Sequence, residues 1–254
     1  MALPIWLVGF LLVSAFLSGL MDTIAGGGGI ITVPALLLTG MPPALALGTN
    51  KLQASFGTFS AVLHFRHAGY LKLRTLYPGI LSCLVGASLG TILVVLLPPN
   101  HLKPIVIVLL AGVILYGFLA KNLVSRSRAR MPKVFFYLLF GFGLGFYDGF
   151  FGPGTGSFWL VALTFLLGYS IKQATIEAKV YNFVSNIISL VWFLVAGHVA
   201  FMVGIIMGVG QYIGAWCGAK LVMKKGAGVI MPVFRGVAIL MFLMLIGQYW
   251  MTAL

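Results

Sequence analysis

Five charged side chains stand where water should be scarce. Among 254 residues there are only three acids, Asp22, Asp148 and Glu177, and each lies in or beside an apolar run. Lys51 and Lys179 each fall about seven residues into such a run, roughly 10 Å along a helix. A buried ammonium is expensive and needs a partner or a task. Two tasks are open. The lysines either pair with Glu177 or the aspartates as structural bridges, or they attract an anion while Asp22, Asp148 or Glu177 carries a coupled proton. Polar residues crowd the same turns: Thr49, Asn50 and Gln53 flank Lys51, and Asn182, Ser185 and Asn186 follow Lys179. Their hydroxyls and amides either complete an oxyanion's hydrogen bonds or tie helices together.

Two glycine-rich strings add a second kind of chemistry, Gly26-Gly27-Gly28-Gly29 and Gly152-Pro153-Gly154-Thr155-Gly156. The apolar piece Ile30–Gly40 after the first spans 11 residues. As a helix it is about 16 Å long, half the hydrocarbon thickness, so its N-terminal end falls near the bilayer midplane. Broken backbone survives at that depth only when buried in protein or lining a cavity. Free N–H groups at a half-helix start carry partial positive charge and receive anions, and glycine lets a ligand approach closely. The alternative is that these glycines only permit tight packing. The second string offers Pro153 and Thr155 where the first has plain glycines, so the two breaks need not contribute equally.

Other chemistry finds no support. GFGLGFYDGFFG contains a loose GxGxxG but opens no βαβ unit. His64, His67, His101 and His198 fall at predicted loop ends, no HExxH occurs, and Cys83 and Cys217 lie in apolar runs without CxxC spacing. No metal, no cofactor and no enzymatic activity is expected. An anion channel uses the same groups as a carrier and stays open as an alternative; an intramembrane enzyme is a more distant one.

The elements that position these residues follow from composition. With 61% hydrophobic and 7% charged residues, the chain cannot cover a soluble surface, so an all-α polytopic membrane protein is expected. The net charge of +13 reflects basic cytoplasmic loops rather than nucleic acid. Apolar segments cover about 4–22, 30–38, 44–65, 76–97 and 103–120. After the hydrophilic stretch 121–133, they cover 134–148, a short piece ending at 167, then 174–196, 199–223 and 228–251. The expected partners are the lipid bilayer and a small anion; a homodimer is compatible with the pattern.

The second half repeats the first. Gly19, Asp22, Gly26 and Gly28 match Gly145, Asp148, Gly152 and Gly154 at an offset of 126, and Lys51 and Gly69 match Lys179 and Gly197 after a two-residue insertion. Charge sets the orientation: Arg66, Lys72 and Arg74, then Lys121, Arg126, Arg128, Arg130 and Lys133, then Lys172, then Lys220, Lys224 and Lys225 mark cytoplasmic loops. These agree only if each glycine-bounded piece re-enters on its own side. The halves, 1–120 and 134–254 around a cytoplasmic linker 121–133, are then inverted, with about eight long transmembrane helices, two half-helices and both termini periplasmic. Inverted repeats with a midplane site are typical of secondary transporters.

Over its whole length the chain resembles the TauE/SafE family of sulfite exporters, also called the 4-toluene sulfonate uptake permease family. The resemblance rests on Asp22 with Gly26–Gly29, on Thr49-Asn50-Lys51, on Asp148 with Gly152-Pro153-Gly154, and on Lys179 with Asn182 and Asn186. It implies transport of sulfite, a sulfonate or a related organosulfur anion across a bacterial inner membrane. The expected binding set is Gly26, Gly27, Gly28, Gly29, Thr49, Asn50, Lys51, Gln53, Gly152, Pro153, Gly154, Thr155, Lys179, Asn182 and Asn186.

Overall fold

The computed structural model describes residues 4–71, 75–119 and 129–224, together with positions 239, 243, 246 and 247. Lys72, Arg74, Lys121, Arg126, Arg128, Lys225, Arg235 and most of the segment expected at 228–251 lie outside the described residues. Those described form nine α-helices and no strand: α1 (Ile5–Ala25), α2 (Gly29–Leu38), α3 (Pro43–His67), α4 (Tyr77–Leu96), α5 (Pro99–Leu119), α6 (Lys133–Phe150), α7 (Thr155–Leu167), α8 (Ile171–Val195) and α9 (Phe201–Lys224). Of these α1, α4, α8 and α9 are long and apolar enough to cross a membrane.

Local chemistry sets the helix ends. α1 stops because Gly26 turns left-handed (φ +79°) and its N–H returns to the Asp22 carbonyl at 2.8 Å. Glycine takes that turn without the steric cost of a Cβ. Gly154 (φ +85°) and Gly168 (φ +69°) bracket α7 in the same way. Two helices start earlier than their apolar pattern suggests. α8 begins at Ile171 because Ser170 Oγ accepts from Gln173 N at 3.2 Å, capping a first turn that contains polar Lys172 and Gln173. α5 begins at Pro99, where a missing N–H costs nothing in a first turn.

The interior is small and the exterior large, as expected where lipid replaces water. On α4, Gly79, Cys83, Gly86, Ala87, Gly90 and Thr91 are buried while Leu81, Val85, Leu89 and Leu93 are exposed. The buried stripe brings backbones together. Gly86 and Gly90 lie against the Phe142 and Phe146 carbonyls of α6; Gly210, Gly214 and Gly218 lie against those of Leu12, Phe16 and Leu20 on α1. The most extensive packing is therefore α4 on α6 and α1 on α9, followed by α3 on α9 and on α8. The first helix of each sequence repeat packs on the fourth of the other.

These seams give a matched prediction. A Cβ at Gly214 would strike the Phe16 carbonyl, whereas one at Gly143 meets nothing within 4 Å. Gly214→Ala should lower the thermal midpoint in detergent, by overpacking worth about 1–3 kcal/mol. Gly143→Ala should hold or raise it through helix propensity, worth up to about 1 kcal/mol.

Two apolar clusters flank a polar layer. One gathers around α2 with α1 and α5; the other gathers around α7 with α4, α6 and α8. The glycine breaks meet between them.

Candidate functional site

The two breaks cross in direct contact. Ser157 N donates to the Gly26 carbonyl at 3.0 Å and Ser157 Oγ to that of Ala25 at 2.6 Å. Gly26 packs on the Gly156 backbone and Gly29 on Pro153. Side chains larger than hydrogen at 26 and 156 would separate the breaks. Neither Gly29 N–H nor Gly156 N–H has a backbone partner among the described residues, as befits the first turns of α2 and α7.

Around this crossing the charges pair across the repeats. Lys51 Nζ meets Asp148 Oδ1 at 2.9 Å, and Lys179 Nζ meets Asp22 Oδ2 at 2.8 Å. Each lysine reaches the aspartate of the other half, so three buried charges and the partly buried Asp22 sum to zero and clamp α3 to α6 and α8 to α1. The pairs are not equivalent. Lys51 also donates to the Asp148 carbonyl and, at 3.3 Å, to Asn186 Oδ1. Asp148 additionally receives Thr155 Oγ1 at 3.2 Å and Ser185 Oγ. Lys179 has Asp22 as its one hydrogen-bond acceptor among the described residues, and Asp22 further receives Gly28 N at 3.3 Å. The Asp22 side chain is 14% exposed against 5% for Asp148.

A polar cavity of about 30 Å³ lies between the pairs, lined by Asp22, Gly26, Gly29, Asn50, Ala54, Asp148, Gly152, Gly154, Thr155, Gly156, Asn182, Asn186 and Gln211. Asn50 Oδ1 accepts from Thr32 Oγ1 at 2.7 Å and from Gln53 Nε2 at 2.8 Å. Its amide nitrogen is thus the end left for the cavity. Asn182 Oδ1 and Gln211 Oε1 are buried without partners.

Of the residues expected from sequence, Asp22, Gly26, Gly29, Asn50, Asp148, Gly152, Gly154, Thr155, Asn182 and Asn186 line this cavity. Lys51 and Lys179 stand behind it on the aspartates. Gly27, Gly28 and Pro153 shape the breaks: the Gly27 and Gly28 carbonyls start α2, and Pro153 O accepts from Tyr147 OH at 2.8 Å. Gln53 supports Asn50. Thr49 faces away, its Oγ1 accepting from Ala200 N at 3.0 Å at the start of α9. Glu177 also lies elsewhere, accepting from Tyr137 OH at 3.0 Å, so neither lysine pairs with it. Gln211 was not anticipated, although a lone amide inside otherwise apolar α9 is the kind of signal that marks one.

The family described as Sulfite exporter TauE/SafE matches residues 11–245. A probable membrane transporter protein of Haemophilus influenzae is 42% identical over 245 residues, covering 96% of this chain and 95% of its own. A probable membrane transporter protein, ORF9, of a Sinorhizobium species is 42% identical over 244 residues, covering 95% and 93%. The Escherichia coli probable membrane transporter protein YfcA is 40% identical over 227 residues, covering 89% and 84%. No solved structure matches. The near full-length family match and these relatives place this multi-pass membrane protein in the TauE/SafE sulfite exporter family.

Proposed function

We propose that the protein is a secondary transporter that carries a small sulfur-containing anion, such as sulfite or a sulfonate, across the bacterial inner membrane by alternating access. The observation that carries the reading is the reciprocal pairing of Lys51 with Asp148 and Lys179 with Asp22 around two crossed helix breaks. In this reading the architecture is an inverted repeat of about eight long helices and two half-helices, with both termini periplasmic and 121–133 cytoplasmic. The family name and the transporter relatives support the class of function; the name of the family supplies the class of anion.

A cavity of about 30 Å³ holds a water but not a sulfur oxyanion. Binding therefore requires the breaks to part, and the arrangement described is a closed one. The free N–H groups of Gly29 and Gly156 and the amides of Asn50, Asn182 and Gln211 then face the anion's oxygens, with Asn186 beside Lys51. Net charge comes from opening an ion pair. One proton on Asp22 leaves Lys179 without its counter-charge, so that anion and proton bind together. Lys179–Asp22 is the readier pair to open, having fewer supporting bonds and greater exposure.

The experiment is uptake into proteoliposomes of sulfite, thiosulfate, sulfoacetate and sulfate, with and without a pH gradient. Saturable accumulation of one of them above its external concentration, driven by the gradient, is expected. Passive equilibration without accumulation would favour an anion channel instead, and movement of none would refute the substrate class.

A further inference from the structure

A second cavity, about 730 Å³, opens beside the starts of α4, α6 and α8. We propose that it is a vestibular site that binds the transported oxyanion before it reaches the central breaks; its ligand rests on the transport reading above.

Its lining is built for negative charge. Lys133 is the first residue of α6, Lys172 lies in the first turn of α8 beside its cap Ser170, and Thr75, Leu76 and Pro78 surround the start of α4. Three helices thus direct their positive ends at one cavity. The two ammonium groups have no carboxylate within ion-pairing distance among the described residues, where the only salt bridges are the two central ones. They rest instead over aromatic rings, Lys172 Nζ 4.1 Å from the Tyr70 centroid and Lys133 Nζ 5.5 Å from that of Tyr169. Such contacts hold a cation without neutralising it. Glu177 is the one carboxylate in the lining, and Tyr137 OH and Gln173 Nε2 already donate to its two oxygens. The surplus charge is positive.

Helix α8 carries residues of both cavities, Glu177 in the vestibule and Asn182 and Asn186 in the central one. Glu177, Tyr181 and Ser185 lie at successive turns of α8, about 12 Å along its axis. Glu177 lines the vestibule and Ser185 holds Asp148. Between them Tyr181 stacks on Trp159 at 4.3 Å and sits 5.9 Å from Tyr137. The Tyr181 hydroxyl and Trp159 Nε1 are both buried without a hydrogen-bond partner. This aromatic partition has donors ready for an oxyanion that passes it.

The test has a binding arm that needs no transport: calorimetric titration of sulfite into protein in nanodiscs of phosphatidylcholine alone. Lys133→Gln with Lys172→Gln should weaken binding about tenfold at low ionic strength, an effect that high salt removes. Lys133→Arg with Lys172→Arg should preserve it. In sided proteoliposomes the double glutamine variant should raise KM by the same factor from the lysine-bearing face only. Binding that persists in a wild type unable to transport would keep the vestibule and sink the transport reading. Unchanged binding, with equal KM from both faces, would overturn the proposal. A weakening seen only with phosphatidylglycerol present would overturn it in favour of a lipid headgroup.

Discussion

Methionine at position 51 should destabilise the protein by about 3–5 kcal/mol and abolish anion transport. The physical reason is the carboxylate left behind. The Asp148 side chain is only 5% exposed, and its Oδ1 depends on Lys51 with help from Thr155. Removing the ammonium leaves an uncompensated buried charge. Lys51→Met combined with Asp148→Asn removes both charges, and replacing a whole buried pair by neutral groups is often close to neutral for stability. The double variant should therefore recover most of the thermal midpoint lost by the single one, read by tryptophan fluorescence in detergent. Recovery of stability without recovery of transport separates a working pair from a merely structural one.

The second large effect should come from Gly26. Its φ of +79° is left-handed, and a Cβ there would strike the Gly156 backbone. Gly40 has a comparable φ of +82° with open space around it. Alanine at either position carries about 1–2 kcal/mol for the left-handed backbone. Only Gly26→Ala adds overpacking, about 1–3 kcal/mol, because both partners are main chain and cannot swing aside. Gly26→Ala should unfold at a lower temperature than Gly40→Ala and lose transport, while Gly40→Ala keeps it. Equal midpoints would mean that the breaks do not bear on each other as described.

Much of this was legible in the residues. The broken helices announced themselves by glycine. The correspondence of Asp22 with Asp148, and of Lys51 with Lys179 after a two-residue insertion, is read from their spacing. The exchange of partners is not. A sequence repeat says which residues correspond, whereas whether Lys51 meets Asp22 or Asp148 depends on how the halves interdigitate, through α1 on α9 and α4 on α6. Two expected residues face away from the site altogether, for a reason that helix geometry contains. Thr49 and Glu177 each precede a buried lysine by two positions, which places them on nearly the opposite face of the helix. Asn182 and Asn186, three and seven residues after Lys179, share its face and line the cavity. Gln211 escaped because it is a lone amide in an apolar helix, with no charged neighbour to draw attention to it.

The most direct test of the central claim is gradient-driven sulfite uptake by the Lys51→Met/Asp148→Asn double variant beside wild type, both shown to be folded by their thermal transitions. Saturable accumulation by the wild type and none by the folded double variant is the expected result. Uptake by the double variant at the wild-type rate would contradict it, and would make the paired charges a structural clamp with no part in carrying the anion.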